Sequence, residues 1–426
     1  MDSGVGTFRF LRRIVLLAIA MGSAVASSAA AADEPLGACP ELGRGYLRLP
    51  GMAACVALAG DLKVDYRQRF SRQEIFAEPQ RDTTGPHIAY ELGRLPEDRS
   101  LGRSRTELKT FFNTITPTEF GMLSTSIGFK SQVETPPRNP NDLVNEFNRT
   151  GKRTILERAS IQLGGFSAGY MPSFFDFTPS LSYTTAYASE INTTVLAYTH
   201  RIPGIIDLTL SAEDGSERRL ADPVWGSYRD ARAPDTVIAA RKPLDWGNIK
   251  VAAAAHPVSA MAVAECCGVA EGRDLGWAAM VGIEGWFDVG SMSSEILLNV
   301  ALARGGLSYL GATNQPADFA VSAHGRVFLT DGRAAVAAYA HWWTKQIRTV
   351  FTFSAYETSL DTDSMRWRTS GSITQAALEL VPRRGFVMGV EVNYHQDRAQ
   401  GGDQAVLRPS VSNEFLSSVV FMRTRF

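Results

Sequence analysis

The sequence predicts an all-β protein: a transmembrane antiparallel β-barrel of about sixteen strands, with long outer loops and short periplasmic turns. Three observations carry this reading. The run Leu62–Phe70 puts Leu62, Val64, Tyr66 and Phe70 on one face and Lys63, Asp65, Arg67 and Arg69 on the other. The last residues, Ser417–Phe426, alternate in the same way: Val420, Met422, Thr424 and Phe426 oppose Arg423 and Arg425, and an aromatic stands at the carboxyl end. A strand with several like charges on its inner face cannot line a dry core, because each unpaired buried charge costs several kcal/mol. If its apolar face meets lipid, the first and last strands must pair to close a barrel with no free edge. The third observation is the spacing of the strands, which are joined alternately by long polar stretches and short turns.

At the amino end, Arg9, Arg12 and Arg13 precede the apolar run Ile14–Ala20, and Ala30-Ala31-Ala32 fits a small-residue cleavage site. Residues 1–32 are therefore expected to be a signal peptide, 33–55 a periplasmic segment and 56–426 the barrel. Cys39 and Cys55 flank YLRLPGMAA, and an oxidising periplasm would let them close a disulfide loop. In the chain-entropy model a loop of about 15 residues is worth roughly 3 kcal/mol. Cys266 and Cys267 read as part of a loop with no further metal ligands nearby. Val251–Ala270 comes nearest to a membrane helix, but His256-Pro257 and Glu265 interrupt it.

In order along the chain, a long polar stretch with Pro79, Pro86 and Pro96 leads to Arg103–Phe112, where Arg103, Arg105, Glu107 and Lys109 share a face. Phe120–Lys130 follows, then a Pro- and Asn-rich stretch to Arg153. Thr154–Leu163 and Phe166–Met171 join at Gly164-Gly165, a tight-hairpin signal. After Pro172–Ile191 come Thr193–His200 and Ile205–Ala212, then Thr236–Arg241 and Asn248–Ala255. Strands are next expected at Trp277–Phe287, Ser294–Leu302, Phe319–Leu329, Arg333–Trp343, Gln375–Leu380 and Phe386–His395. A final loop, Gln396–Asn413, precedes the closing strand.

A barrel of about sixteen strands encloses an aqueous channel, so function lies in what lines and narrows it. The inward sets of the first, second, fourth and last strands contain Lys63, Arg67, Arg69, Arg103, Arg105, Lys109, Arg158, Arg423 and Arg425. Closure makes these strands neighbours, so they are expected to form one basic wall, diluted by Asp65, Glu107 and Glu157. The segment near 171–191, rich in Phe and Tyr, carries Asp176 and Glu190. Folded into the lumen, it would set those acids against the wall and create a transverse field. Nothing selects catalysis: the six histidines are scattered, and no nucleophile elbow or phosphate-binding glycine loop is present. With 43 basic and 44 acidic residues, the near-neutral chain gives no reason to expect a nucleic-acid partner.

ACPELGRGYLRLPGMAACVALAGDLKVDYRQRF, ASIQLGGFSAGY and the terminal Arg-x-Phe strand together resemble the general porins of alphaproteobacteria. The resemblance implies a cofactor-free, sixteen-stranded outer-membrane porin, usually a homotrimer in outer-membrane lipid, that passes small hydrophilic solutes passively. It also implies that the loop near 171–191 is the constriction, with Asp176 as its nearest acid, and it carries over the Cys39–Cys55 bridge by position. Family members place more acids on that loop, so here the basic wall would tilt preference towards anions. The alternatives are a solute-selective anion uptake channel or surface receptor on the same barrel, an outer-membrane enzyme, and an adhesive surface protein.

Overall fold

The structure, a computed structural model, describes residues 37–39, 45–48, 51, 54–79, 90–94, 101–135, 151–222, 225–229, 233–264, 268–311, 317–403 and 407–426. The expected leader 1–32, Cys266 and Cys267 lie outside the described residues. Sixteen antiparallel strands close into one barrel. They are β1 (Cys55–Pro79), β2 (Leu101–Thr118), β3 (Gly121–Thr135), β4 (Gly151–Leu163), β5 (Phe166–Pro172), β6 (Asn192–Ile202), β7 (Ile206–Glu213) and β8 (Asp235–Leu244). The other half comprises β9 (Gly247–Ala264), β10 (Gly268–Val289), β11 (Met292–Arg304), β12 (Asp331–Trp342), β13 (Ile347–Asp361), β14 (Met365–Arg383), β15 (Phe386–Asp403) and β16 (Leu407–Arg425). No helix among the described residues is long and apolar enough to cross a membrane.

Each strand pairs with the next, and β16 pairs with β1 from Arg425↔Asp61 to Leu407↔Pro79. Phe426 completes the seam, since its N–H donates to Gly60 O at 3.1 Å and Gly60 N–H donates to Phe426 O at 2.8 Å. The Phe426 ring lies where a side chain at position 60 would stand, so glycine there lets the terminal aromatic cover the seam. Cys39 and Cys55 are disulfide-bonded, which ties Gly37–Ala38 and Leu47–Arg48 to the start of β1.

The barrel is inverted relative to a soluble protein. Leu58, Leu196, Ile238 and Val420 are exposed, whereas Thr193, Ser211, Gln375 and Asn393 are buried. Trp246, Trp286, Trp343, Phe120 and Phe166 stand exposed near the short-turn end, as an interfacial aromatic girdle does.

Three expectations need correction. Phe319–Leu329 is not a barrel strand: Phe319–Val321 and Val327–Leu329 pair with each other as a separate two-stranded sheet within the β11–β12 connection. The remaining barrel strand is Ile347–Asp361, which pairs with both β12 and β14. Its alternation is masked because buried Val350 and Tyr356 face inward while exposed Phe351 and Phe353 face out, leaving both faces partly apolar. Gln396–Asn413 is likewise not an open loop: β15 and β16 stay paired up to Gln400↔Ser410. β9 and β10 similarly continue through most of 256–276, their last pair being Ala264↔Gly268. Residues 396–413 are mostly polar on both faces and residues 256–264 mostly apolar on both, so the alternation that marks a strand fades while the backbone pairing continues.

Candidate functional site

The segment between β5 and β6 crosses the lumen instead of projecting outward. Its root is fixed by Glu213 at the end of β7, which accepts from Ser173 Oγ at 2.6 Å and from Phe174 N–H at 3.0 Å. Lys250 Nζ of β9 donates to Asp176 O at 2.5 Å, and Thr178 Oγ1 donates to Glu284 of β10. Further along, Ser182 shares a hydroxyl bond of 2.6 Å with Thr352 of β13. Glu391 of β15 accepts from Tyr183 N–H at 2.7 Å and from Thr184 Oγ1 at 2.5 Å. Tyr187 donates its N–H to Ser354 Oγ and its hydroxyl to Asp397 at 3.0 Å. These partners lie on widely separated strands, so the segment is a bar across the barrel.

Small inward residues make room for it. Phe175 and Tyr187 pack with Tyr309 against Ala252, Ala254, Ala278, Ala301, Ala303 and Ala334. Gly282 permits the closest approach, because a Cβ there would stand 2.3 Å from the Phe177 ring. Tyr183 reaches the opposite side, where its ring stacks on Phe421 of β16 at 4.0 Å and its hydroxyl donates to Asp65 of β1 at 2.9 Å.

Between the bar and strands β1–β4 lies a cavity of about 540 Å³. Among its lining residues are six cations, Lys63, Arg67, Arg103, Arg105, Lys109 and Lys130, and five acids, Asp65, Glu107, Glu157, Glu190 and Glu217. Strand register accounts for the pairing of these charges. Asp65 lies opposite Arg105 and Lys63 opposite Glu107. The ion pairs that result are Arg105–Asp65 at 2.8 Å and Lys63–Glu107 at 3.7 Å. Lys109 pairs with Glu157, which also holds Lys130 at 3.5 Å, and Arg103 pairs with Glu134. A register shift at Gly128/Phe129 lets Glu157 reach both lysines while its neighbour Arg158 lies over the Phe111 ring.

The two signs are not equally presented. In these pairs the cationic side chains are between 20% and 26% exposed and the acids between 3% and 12%. On β1–β4 solution therefore meets ammonium and guanidinium groups, with their paired carboxylates set behind them, while Glu190 and Glu217 reach the same solution from the other side of the cavity. Arg67 makes no ion pair among the described residues, although Asp65 and Glu391 are near enough to act on its charge. Glu190 is the loop acid that faces this wall; burial pushes its carboxyl up, and Lys109 and Lys63 pull it back down.

Of the residues expected in the wall, Lys63, Arg67, Arg103, Arg105 and Lys109 line the cavity together. Arg69 stands further towards the outer end with its guanidinium 3.8 Å from the centre of the Phe415 ring. Arg423 pairs with Asp61, and Arg425 approaches the same acid at 3.8 Å, at the closing end of the strands. Asp176 turns away from the wall: it accepts from Ser189 Oγ at 2.5 Å, Ile191 N–H at 2.7 Å and the fully buried Arg218 at 3.0 Å. It thus braces the base of the bar.

Lys130 is absent from the expected set, although its place on β3, in register with Lys109, follows from the strand alternation. The contacts of Tyr183, Glu391 and Arg218 gave no sequence signal, because they join residues more than a hundred positions apart or lie inside an irregular connection. No group of three or more His, Cys, Asp or Glu among the described residues is placed to hold a metal ion.

Comparison with known proteins bears on the family and the barrel fold. Residues 27–413 match the family described as the porin subfamily. No curated protein matches the sequence. Among solved structures, the chain is similar to the outer membrane channel DcaP of Acinetobacter baumannii, with 14% identity and a TM-score of 0.60 over 88% of this chain and 97% of that one. Matches also include OmpT of Vibrio cholerae, with 9% identity, TM-score 0.43 and coverage of 88% and 99%. Salmonella typhi OmpF in complex with daunomycin matches at 10% identity, TM-score 0.43 and coverage of 88% and 98%.

Proposed function

The chain belongs to the porin subfamily, and from that premise of an outer-membrane channel we propose a passive, weakly anion-preferring pore for small hydrophilic solutes. The observation that supports the preference is the unequal exposure of the paired charges on β1–β4, which leaves the cations nearer the water path. Lumenal fields of one sign raise the local concentration of the opposite ion and so bias passage without a tight site. On this reading 171–191 is the constriction loop, with Tyr183 and Glu190 at its working edge and Asp176 as its brace. Residues 1–32 are read as a cleaved leader, and the assembled form as a homotrimer in outer-membrane lipid.

We read the pore as having no turnover. The contact Ser294 Oγ···His341 Nδ1 at 2.8 Å has the spacing of a nucleophile and its base, but Ser294 is fully buried, which keeps its hydroxyl from a substrate. Single-channel recording of the purified protein in a planar bilayer tests the proposal. Stepwise, long-lived openings in groups of three are expected, and correctly folded protein that passes no current would overturn the open-pore reading. Saturable block by one anionic solute would favour a selective uptake channel instead.

A further inference from the structure

A second cavity, of about 460 Å³, lies on the outward surface of strands β11–β15, away from the lumen. Register explains how it forms. One row across the sheet reads Val300, Ala335, Ala355, Ser372 and Gln396, each opposite the next. The row nearer the outer loops reads Leu302, Arg333, Glu357, Ser370 and Arg398. Ala335, Ala355 and Ser372 in the middle of the first row, with Ser370 in the second, leave a trough, walled on the β11 side by exposed Val300 and Leu302. Its upper rim is polar and carries two guanidinium groups. Arg333 pairs with Glu357, whereas Arg398 is exposed and makes no ion pair among the described residues.

The trough sits where the outward face changes from apolar to polar. One row lower stand Leu298, Phe353 and Tyr394, all exposed and suited to hydrocarbon or its boundary. A volume of this size falls within the range of about 300–1,000 Å³ typical of small-molecule sites. The rim, with two arginines and one acid, has a net positive charge and offers bidentate donors of the kind that match phosphate.

We propose that this groove binds a phosphorylated lipid of the outer leaflet, with the phosphate held by Arg398 and Arg333. One acyl chain lies over Ala335 and Ala355 and continues down past Ala337, in register between Leu298 and Phe353. The lipid would occupy an otherwise thin strip of wall and fix the barrel's height in the membrane.

The test is native mass spectrometry of the assembled protein in detergent, with bisphosphorylated lipid A as the probe. The wild type should retain the lipid. Retention should fall about tenfold in Arg333→Ala/Arg398→Ala, in the groove-filling Ala335→Trp, and for wild type offered dephosphorylated lipid A. Conductance should not change in any variant, because the groove lies outside the lumen; this also shows that the variants are folded. Equal retention of both lipid forms by the wild type would overturn the proposal without relying on any variant. Displacement of the lipid by inorganic phosphate alone would overturn it in favour of a free-anion site. Loss of subunit assembly in Ala335→Trp would overturn it in favour of a contact between copies of this chain.

Discussion

The two sides of the lumen use the same strand geometry for opposite ends. On β1–β4 the inward positions carry long charged side chains, and a water-filled cavity remains beside them. On β9–β12 the inward positions are mostly alanine, and Phe175, Tyr187 and Tyr309 pack onto them to form a dry core. Side-chain volume at alternate positions therefore decides which half of the barrel holds water and which holds protein. Charge follows the same division. Acids on the charged side are countered across neighbouring strands, whereas Glu213 of β7 and Glu391 of β15 are satisfied by hydroxyl and backbone N–H donors from the crossing segment.

This contrast can be broken most severely at the brace. Asp176→Asn leaves the buried Arg218 without its charge partner, and breaking a buried pair in this way costs about 3–5 kcal/mol. Thermal unfolding should shift to a clearly lower temperature, and recordings should become noisy as the bar loosens. Wild-type melting would show that Asp176 is not structural.

A large effect on selectivity, with some loss of stability because the buried Asp65 loses Arg105, is expected from reversing charge on the wall. Arg67→Glu with Arg105→Glu places two new acids beside Asp65 and should move the reversal potential to the cation side. An unchanged potential would remove these residues from the ion path. Raising the salt concentration should shrink the difference between wild type and variant, because the screening length falls from about 10 Å at 0.1 M to about 3 Å at 1 M.

Glu190→Gln should have a smaller effect in the opposite sense, increasing anion preference while leaving melting near that of the wild type. Paired with Asp176→Asn, it separates the electrostatic acid of the loop from the structural one. If Asp176→Asn altered selectivity and Glu190→Gln altered only stability, the two roles would be exchanged.

The smallest expected effect is that of pH. Burial raises the Glu190 carboxyl above the ordinary value of 4.5, so it takes up its proton at a higher pH than a free glutamate. Lowering the pH through that range removes a negative charge facing the wall and should increase anion preference, and raising it again should reverse the change. In Glu190→Gln this component should be absent from the reversal potential.

Much of the barrel was legible because closure and lipid impose a period of two over the apolar band. Leu62–Phe70 and Ser417–Phe426 showed it clearly, and the structure pairs them along the seam. The signal weakened where alternation no longer separated apolar from polar residues. Ile347–Asp361 has Val350 inside and Phe351 outside, so it was missed, while the apolar ends of Phe319–Leu329 imitated a strand. The charged side of the lumen was partly legible, because each cation there follows from its position on a strand. Which cation each acid would meet was not, since that depends on register between strands, and a bulge beside Glu157 alters that register. The crossing segment was recognisable from its Phe and Tyr content. Which of its acids met the wall depended on Arg218, which lies in an irregular connection where periodicity carries no information.

The central claim is that the charged side of the lumen presents its cations to the water path. The reversal potential of wild-type single channels across a salt gradient tests it most directly. A potential of the sign set by anions, moving towards zero or beyond in Arg67→Glu/Arg105→Glu, is the expected result. A cation-sign potential in the wild type, unaffected by that double substitution, would contradict it.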